Sequence, residues 1–271
     1  MLTLILLTSG ATQTLLAQPA PWQPTLDMAA ASPAEIGQAI FTEADRRDSG
    51  YGDLQVSLRM VLRTARGRET ERELRIKQLE VPGDGDMVLA VFDAPANIRG
   101  TALLSHGHPQ REDDQWLFLS AMKRTKKIAS RNKTGSFVGS EFSFEDLAPL
   151  EIAKYTYAYV GQEACATAQC YVVDRFPVDQ YSGYLKHRIW LDTEALRIYR
   201  IDYTNKREQL EKRLELDGYQ LYADQFYKPD YMRMQNLLNG RSTDLHWFDY
   251  QFNNQFTAER DFSVNSLRRA R

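Results

Sequence analysis

The chain has 271 residues, a formal net charge of −2, 43% hydrophobic residues and 26% charged residues. This is the composition of an ordinary globular protein, with enough apolar material for a sizeable core. The near-zero net charge argues against a nucleic-acid-binding protein, which usually carries a strong basic excess.

The N-terminal stretch begins with a short apolar run and has no charged residue before Asp27. The run and the Leu-Leu-Ala-Gln that follows it predict a secretory signal peptide over residues 1–17, cleaved after Ala17. A disordered tail and a membrane anchor are the alternatives, although the run is too short for a spanning helix. Residues 18–33 are then expected to be flexible, ahead of a single domain over residues 34–271.

A helix is predicted over residues 34–48, with Ser32 as its cap and Pro33 at its first position. From Leu54 onwards apolar residues recur at every second position, which is typical of half-buried strands. The continuous apolar run 87–92 indicates a strand covered on both faces. The predicted strands are 54–63, 69–79, 87–92, 98–106, 115–121, 124–129, 154–161, 170–176, 184–192, 196–204, 209–216, 229–238 and 243–252.

Short turns, among them Asp217-Gly218 and Asn239-Gly240, join these strands without repeated helical crossovers. The pattern therefore predicts a mainly β fold, with one large antiparallel sheet that is strongly curved or nearly closed. The other helix candidates are 144–150 and a short turn near 263–267. The helix 34–48 and the segment 144–150 are expected to cover part of the concave face.

The two cysteines, Cys165 and Cys170, are separated by four residues. This spacing fits a disulfide that closes a short loop between strands, as expected for an exported protein. A reduced pair is the alternative. A metal site would need further ligands, which the neighbouring sequence does not offer.

The histidines of His106-Gly-His108 are the first candidates for a metal or catalytic site, with Asp114 as the nearest acid. A catalytic zinc needs a third protein ligand, and acids at a hairpin tip are usually only solvated. A polar hairpin turn is the preferred interpretation. The chain has neither a Gly-x-Ser-x-Gly nucleophile elbow nor a phosphate-binding glycine loop. We therefore expect no enzyme activity, no metal and no cofactor.

The basic residues Lys123, Arg124, Lys126 and Lys127 form the strongest charge feature. One interpretation is a solvated strand face with no specific function. The functional alternative is a docking patch for an acidic partner or an anionic lipid headgroup.

Aromatic residues fall mainly on the predicted strands, where core packing is their default role. One curved sheet with few helices, however, has too little material to cover its concave face, which leaves room for an apolar cavity. The candidate wall residues are Trp116, Phe118, Trp190, Tyr199, Tyr203, Met232, Trp247 and Phe252.

An ordered series of motifs carries a resemblance to a known family: RGTA at 99–102, DDQWLFL at 113–119 and GSFVGSEFSFEDL at 135–147. The chain resembles the outer membrane lipoprotein-sorting proteins, relatives of the periplasmic carrier LolA, from about Ala34 to the C-terminus. The resemblance implies a curved antiparallel half-barrel with helices over its open side. It also implies a periplasmic location and a lipid, acyl-chain or lipoprotein cargo.

The leading expectation is therefore a carrier that moves such cargo between the inner and outer membranes. A resistance-nodulation-division (RND) or MMPL-type exporter is the partner that the resemblance suggests. The alternative is a non-catalytic interaction subunit of an envelope export complex, with the basic stretch as its contact surface. A continuous apolar cavity favours the carrier, and a filled core favours the interaction subunit.

Overall fold

The computed structural model describes residues 22–166 and 168–269, so the predicted signal peptide lies outside the described residues. The first element, α1, spans Pro33–Asp48 as predicted. Its cap is reciprocal: the Ser32 hydroxyl accepts from the Glu35 amide at 3.3 Å, and the Glu35 carboxylate accepts from the Ser32 amide at 2.8 Å. This capping box satisfies amide groups that the first turn of a helix leaves free.

Thirteen strands then form one antiparallel sheet that is curved and does not close. The strands are β1 Asp53–Arg63, β2 Glu69–Leu79, β3 Met87–Ala94, β4 Ala102–His106, β5 Asp114–Leu119, β6 Arg124–Ile128, β7 Tyr155–Cys165, β8 Ala168–Pro177, β9 Tyr184–Asp192, β10 Ile198–Asn205, β11 Leu210–Tyr222, β12 Phe226–Asn236 and β13 Ser242–Phe252. Their order in the sheet is β6-β5-β4-β3-β2-β1-β13-β12-β11-β10-β9-β8-β7. The predicted curved, mainly β half-barrel is confirmed.

The two edge strands, β6 and β7, are consecutive in the chain. Residues 129–154, which we call the crossing segment, therefore have to pass from one edge of the sheet to the other. Phe137 of this segment stacks on Phe92 of β3 with ring centroids 5.5 Å apart. The Glu141 amide donates to Thr243 of β13, and Asp146 accepts from the hydroxyl of Tyr184 on β9. The crossing segment thus spans the concave face and closes much of it.

The outer face of the sheet carries a second, smaller core under the C-terminal segment. This segment contains α2, Ala258–Asp261, and a 3-10 turn, Ser266–Arg268. Phe262 and Leu267 are fully buried against Leu104 and Phe118. Strands β3 to β5 are therefore covered on both faces, which explains the continuous apolar run predicted for β3.

Cys165 and Cys170 form the predicted disulfide, with their Cα atoms 5.8 Å apart. The bond links the facing ends of β7 and β8, where Cys165 pairs with Ala168. It closes the edge hairpin of the sheet, and Cys170 is fully buried.

Three predicted elements differ from the structure. Residues 98–101 form a turn in which the Thr101 amide donates to the Ile98 carbonyl, and β4 begins only at Ala102. Asp217-Gly218 is not a hairpin turn, because β11 continues through it to Tyr222 in register with β12. Gly218 has a φ of 66°, a value that glycine adopts without strain. The predicted helix 144–150 is a single 3-10 turn, Glu145–Leu147.

No helix among the described residues has the length and the apolar character needed to cross a bilayer.

Candidate functional site

The concave face of the sheet, α1 and the crossing segment enclose a cavity of about 1440 Å³. Ligand pockets usually measure about 300–1,000 Å³, so this cavity is large. The apolar lining comes from most strands and from both covering elements. It includes Phe41, Leu54, Val56, Leu58, Met60, Leu74, Ile76, Val88, Ala90, Leu103, Phe137, Phe142, Leu196, Ile201, Leu214, Leu216, Met232, Leu245 and Trp247.

Strand alternation explains why this wall is apolar. On β1 the cavity-lining Leu58 and Met60 flank Arg59, which is exposed on the outer face. Successive side chains of a strand point to opposite faces, so a period of two gives one apolar and one polar face. On β11 the same rule sets Leu216 in the cavity wall and Glu215 outside.

Three of the eight candidate wall residues line the cavity: Tyr203, Met232 and Trp247. The other five do not. Trp116 and Phe118 lie on the outer face of β5, in the core under the C-terminal segment.

Trp190 and Tyr199 pack on the outer face beside the disulfide, where Trp190 also donates to Glu163 at 3.0 Å. Phe252 packs on Phe226 near one end of the sheet, at 5.8 Å between ring centroids. The sequence predicts a place in the cavity wall for these five because they are aromatic and lie on strands. Residue type, however, does not reveal which face of a strand a side chain occupies.

The sequence reasoning missed the aliphatic residues that make most of the wall. For Leu58, Met60 and Leu74, which line the cavity, the sequence predicts only a position on an alternating strand. Phe137 and Phe142 belong to the motif at 135–147, which by itself places neither of them in a cavity. Alternation in β1 was a usable signal for the first two, but the curvature of the sheet was needed to show that this face borders a cavity.

A polar pair interrupts the apolar wall on β8 and β9. Arg175 is 7% exposed and His187 is 2% exposed, and both line the cavity. The Nε and Nη2 groups of Arg175 lie 3.3 and 3.1 Å from Nδ1 of His187. A guanidinium can only donate, so Nδ1 accepts and the neutral imidazole carries its hydrogen on Nε2. Burial and the neighbouring Arg175 hold the pKa of His187 well below its usual range.

Two lysines where the crossing segment meets the sheet are paired. Lys133 forms ion pairs with Glu145 at 3.7 Å and with Asp179 at 2.6 Å. Lys212 lies 3.5 Å from Asp146 and donates to the hydroxyl of Tyr184 at 3.0 Å. These contacts fasten the crossing segment to β9, to β11 and to the loop between β8 and β9.

Acidic groups gather near the loop between β2 and β3. The pKa of Asp86 is raised to about 6, mainly by burial and also by the nearby Glu80 and Asp45, while the Val81 amide acts to lower it. Burial also raises the pKa of Glu151, on the crossing segment, to about 7. Lys154 opposes this shift, while Asp86 adds to it. These groups titrate in a range where carboxylates are normally already ionised.

The two histidines of the His-Gly-His stretch bond to protein groups in different directions. His106 bonds through Nε2 to the Phe262 carbonyl at 2.7 Å. The Nδ1 of His108 lies 2.9 Å from Asp84, and its Nε2 accepts from Arg111. Within the described part of the chain, no group of three or more potential ligands could hold a metal ion.

The four basic candidates for partner binding lie on and just before β6, an edge strand, and all four are exposed. Lys127 pairs with Asp114 at 2.5 Å and lies over the ring of Trp116. Lysines on an edge strand also discourage edge-to-edge aggregation. The remaining three, Lys123, Arg124 and Lys126, have no ion-pair partner among the described residues.

Comparison with known proteins agrees with this architecture. A profile of a family described as "Uncharacterized protein" matches residues 84–269. An outer membrane lipoprotein-sorting protein domain from Vibrio parahaemolyticus is 40% identical, with a TM-score of 0.84 over 87% of this chain and 99% of that one. The search of curated proteins returned no match.

Two further structures share the fold. A DUF1329 family protein from Desulfovibrio piger has 23% identity and a TM-score of 0.83, over 88% of this chain and 100% of that one. A LolA superfamily protein from Nitrosomonas europaea has 18% identity and a TM-score of 0.68, over 87% of this chain and 100% of that one.

The fold is thus a LolA-like half-barrel. The chain belongs to the outer membrane lipoprotein-sorting protein family, which confirms the resemblance carried by its motifs.

Proposed function

We propose that this protein is a periplasmic carrier that holds a lipid or a lipidated ligand in its cavity. The single observation that carries the proposal is the apolar cavity of about 1440 Å³ between the curved sheet and its cover. Each methylene group moved from water into such a wall contributes roughly 0.8 kcal/mol. A long acyl chain therefore binds without any chemistry on the cargo.

The sorting function named for the Vibrio relative supports a transfer route between the inner and outer membranes. Export would depend on a signal peptide over residues 1–17, and the source of cargo would be an inner-membrane RND or MMPL-type exporter. Copurification with such an exporter from crosslinked membranes tests the partner separately from the cargo.

The cargo is tested by purifying the protein from cells, extracting it with organic solvent and identifying lipids by mass spectrometry. We expect stoichiometric lipid, and saturable binding of a fluorescent fatty acid by the extracted protein. If neither lipid nor fluorescent fatty acid binds, the carrier proposal is wrong.

A matched pair of variants locates the binding. Leu216→Trp adds bulk to the cavity wall, whereas Glu215→Trp adds the same side chain on the outer face one residue away. We expect Leu216→Trp to weaken fatty-acid binding at least about tenfold, a loss of roughly 1.4 kcal/mol. Glu215→Trp should bind like the unmodified protein. Equal binding by both variants would mean that the acyl chain lies elsewhere.

The alternative, an interaction subunit without cargo, has one supporting feature in the exposed basic stretch Lys123, Arg124, Lys126 and Lys127. Charge reversal at Lys126 and Lys127 tests it. Loss of partner capture with unchanged lipid binding would show that the stretch is a docking surface in addition to the carrier site.

A further inference from the structure

The described residues contain three buried cationic side chains: Arg175, Lys212 and Lys228. Lys212 has Asp146 at 3.5 Å, and Lys228 has Asp48 at 2.6 Å. Arg175 has no carboxylate within ion-pair distance among the described residues. It is therefore the one buried cation in this part of the chain whose charge the protein does not match.

The surroundings of Arg175 hold it in position but leave donors free. Its guanidinium carbon lies 4.2 Å from the ring centroid of Tyr155 and 5.8 Å from that of Phe41. Its only hydrogen bonds to described residues are the two to Nδ1 of His187. A guanidinium has five N–H groups, so three of them have no partner among the described residues.

His187 adds a second unmatched donor. Its Nε2 is buried and has no hydrogen-bond partner in the described residues. The imidazole is packed between aromatic rings, with Tyr203 at 4.8 Å and Tyr184 at 4.9 Å between centroids. Both members of the pair thus keep N–H donors that have no acceptor among the described residues, at the wall of the cavity.

A buried, unpaired cation is costly in a protein interior, because its lost hydration is not replaced. A bound anion offsets this cost because it neutralises the charge and accepts the free hydrogen bonds. A planar guanidinium can donate to two oxygens of a carboxylate or phosphate at once. The rings of Tyr155 and Phe41 lie near the guanidinium but bring no negative charge to it.

We propose that Arg175, oriented by His187, binds the anionic headgroup of the cargo, a carboxylate or phosphate oxyanion, while the apolar wall holds the acyl chain. This inference rests on the proposed function, since it names the class of cargo that the same cavity selects. The cargo is then an anionic amphiphile with a single oxyanionic head, and a neutral lipid of equal chain length binds less well.

The test is competitive displacement of the uncharged fluorophore N-phenyl-1-naphthylamine from delipidated full-length protein. Palmitate and 1-hexadecanol serve as competitors, because they share the chain length and differ in the charge of the head. We expect palmitate to displace the fluorophore at a concentration at least about tenfold lower than hexadecanol, as a charge-assisted hydrogen bond allows.

In Arg175→Gln, the palmitate concentration that displaces the fluorophore should rise to the concentration required for hexadecanol. The concentration required for hexadecanol should stay unchanged. Arg175→Lys keeps the charge and should retain part of the preference. The matched control is Arg59→Gln, which removes an exposed arginine from the outer face. It should keep the full preference. Circular dichroism and thermal unfolding of each variant check its fold.

The outcomes separate the two proposals. No binding of the fluorophore or of either competitor would overturn the carrier itself. Binding of both competitors at equal concentrations by the unmodified protein would overturn only the headgroup inference, as would an unchanged preference in folded Arg175→Gln. A third outcome is that inorganic phosphate alone stabilises the unmodified protein but not Arg175→Gln, while palmitate is not preferred over hexadecanol. This outcome would assign the site to a free oxyanion and would also overturn the headgroup inference.

Discussion

At the scale of single residues, many charged side chains of this protein form ion pairs. On the outer face, Asp174 accepts from Lys186 at 2.7 Å and from Arg188 at 2.6 Å. Asp202 accepts from Arg200 and Arg213. Both carboxylates are buried, whereas the lysine and arginine side chains that pair with them stay partly exposed. The main effect of these pairs is to keep the outer face polar, so that the apolar face of these strands is the one that turns towards the concave side of the sheet.

Asp86 and Glu151 give the protein a pH-dependent stability. Their raised pKa values mean that the folded protein holds protons that the unfolded chain releases near pH 4. The free energy of unfolding should therefore fall as pH rises from about 4 to about 7 and change little from these groups above that. The slope is at most about 1.4 kcal/mol per pH unit for one group, and less here because both are partly exposed.

Glu151→Gln tests this contribution. Urea unfolding at pH 5.0 and 7.5 should show a smaller loss of stability with rising pH in the variant than in the unmodified protein. Glu215→Gln, which removes an exposed carboxylate from the outer face, is the control and should keep the original slope. An equal slope in Glu151→Gln would contradict the assignment.

At the scale of elements, the helix α1 is seated unusually close to the sheet. A Cβ atom built on Gly37 would lie 3.0 Å from Cβ of Tyr157 and 3.2 Å from the backbone nitrogen atoms of Ala158 and Tyr159. Most of these neighbours are backbone atoms, which cannot move aside as a flexible side chain can. The lack of a side chain at this position therefore sets how closely α1 covers the end of the cavity at β7.

Gly37→Val is expected to destabilise the protein by about 1–3 kcal/mol, because overpacking forces α1 away from β7. Chemical unfolding in urea measures the loss. Gln38→Val, at the next and exposed position of α1, should cost only a few tenths of a kcal/mol through helix propensity. A neutral Gly37→Val variant would show that α1 can shift on the sheet without penalty.

At the scale of the whole molecule, the sheet has two free edges, and the crossing segment that connects them covers the concave face and so encloses the cavity. The crossing segment contacts strands from β3 to β9, and its buried phenylalanines pack on the main core. One of its polar anchors is the group of Asp146, Tyr184 and Lys212. Opening or closing of the cavity must work against these contacts.

Lys212→Met removes the cation of that anchor and leaves Asp146 buried without it. Breaking a buried ion pair from one side costs about 3–5 kcal/mol, so we expect a loss near the lower value, since Tyr184 and the Ser143 amide still donate to Asp146. Hydrogen exchange should speed up over residues 134–150. Lys206→Met, in an exposed turn, should change stability by less than about 0.5 kcal/mol. Unchanged exchange in Lys212→Met would mean that the anchor does not hold the segment.

Much of this architecture was predictable from local pattern. Helix α1, the thirteen strands and the disulfide follow from capping, alternation and cysteine spacing, which act within a few residues. The errors have equally local causes. Gly218 suggested a turn, but pairing with β12 carries β11 through it. Residues 98–101 are apolar enough for a strand, yet their amides bond within a turn.

By itself, the sequence determined the fold class and the apolar face of each alternating strand, because both depend on periods of two along the chain. The tertiary structure decided which faces meet in a cavity. Trp116 and Trp190 face outward, while Leu58 and Met60 face in. It also brought Arg175 and His187, on neighbouring strands, together without a carboxylate. Only the pairing and curvature of the sheet set such distances, so no sequence pattern could show them.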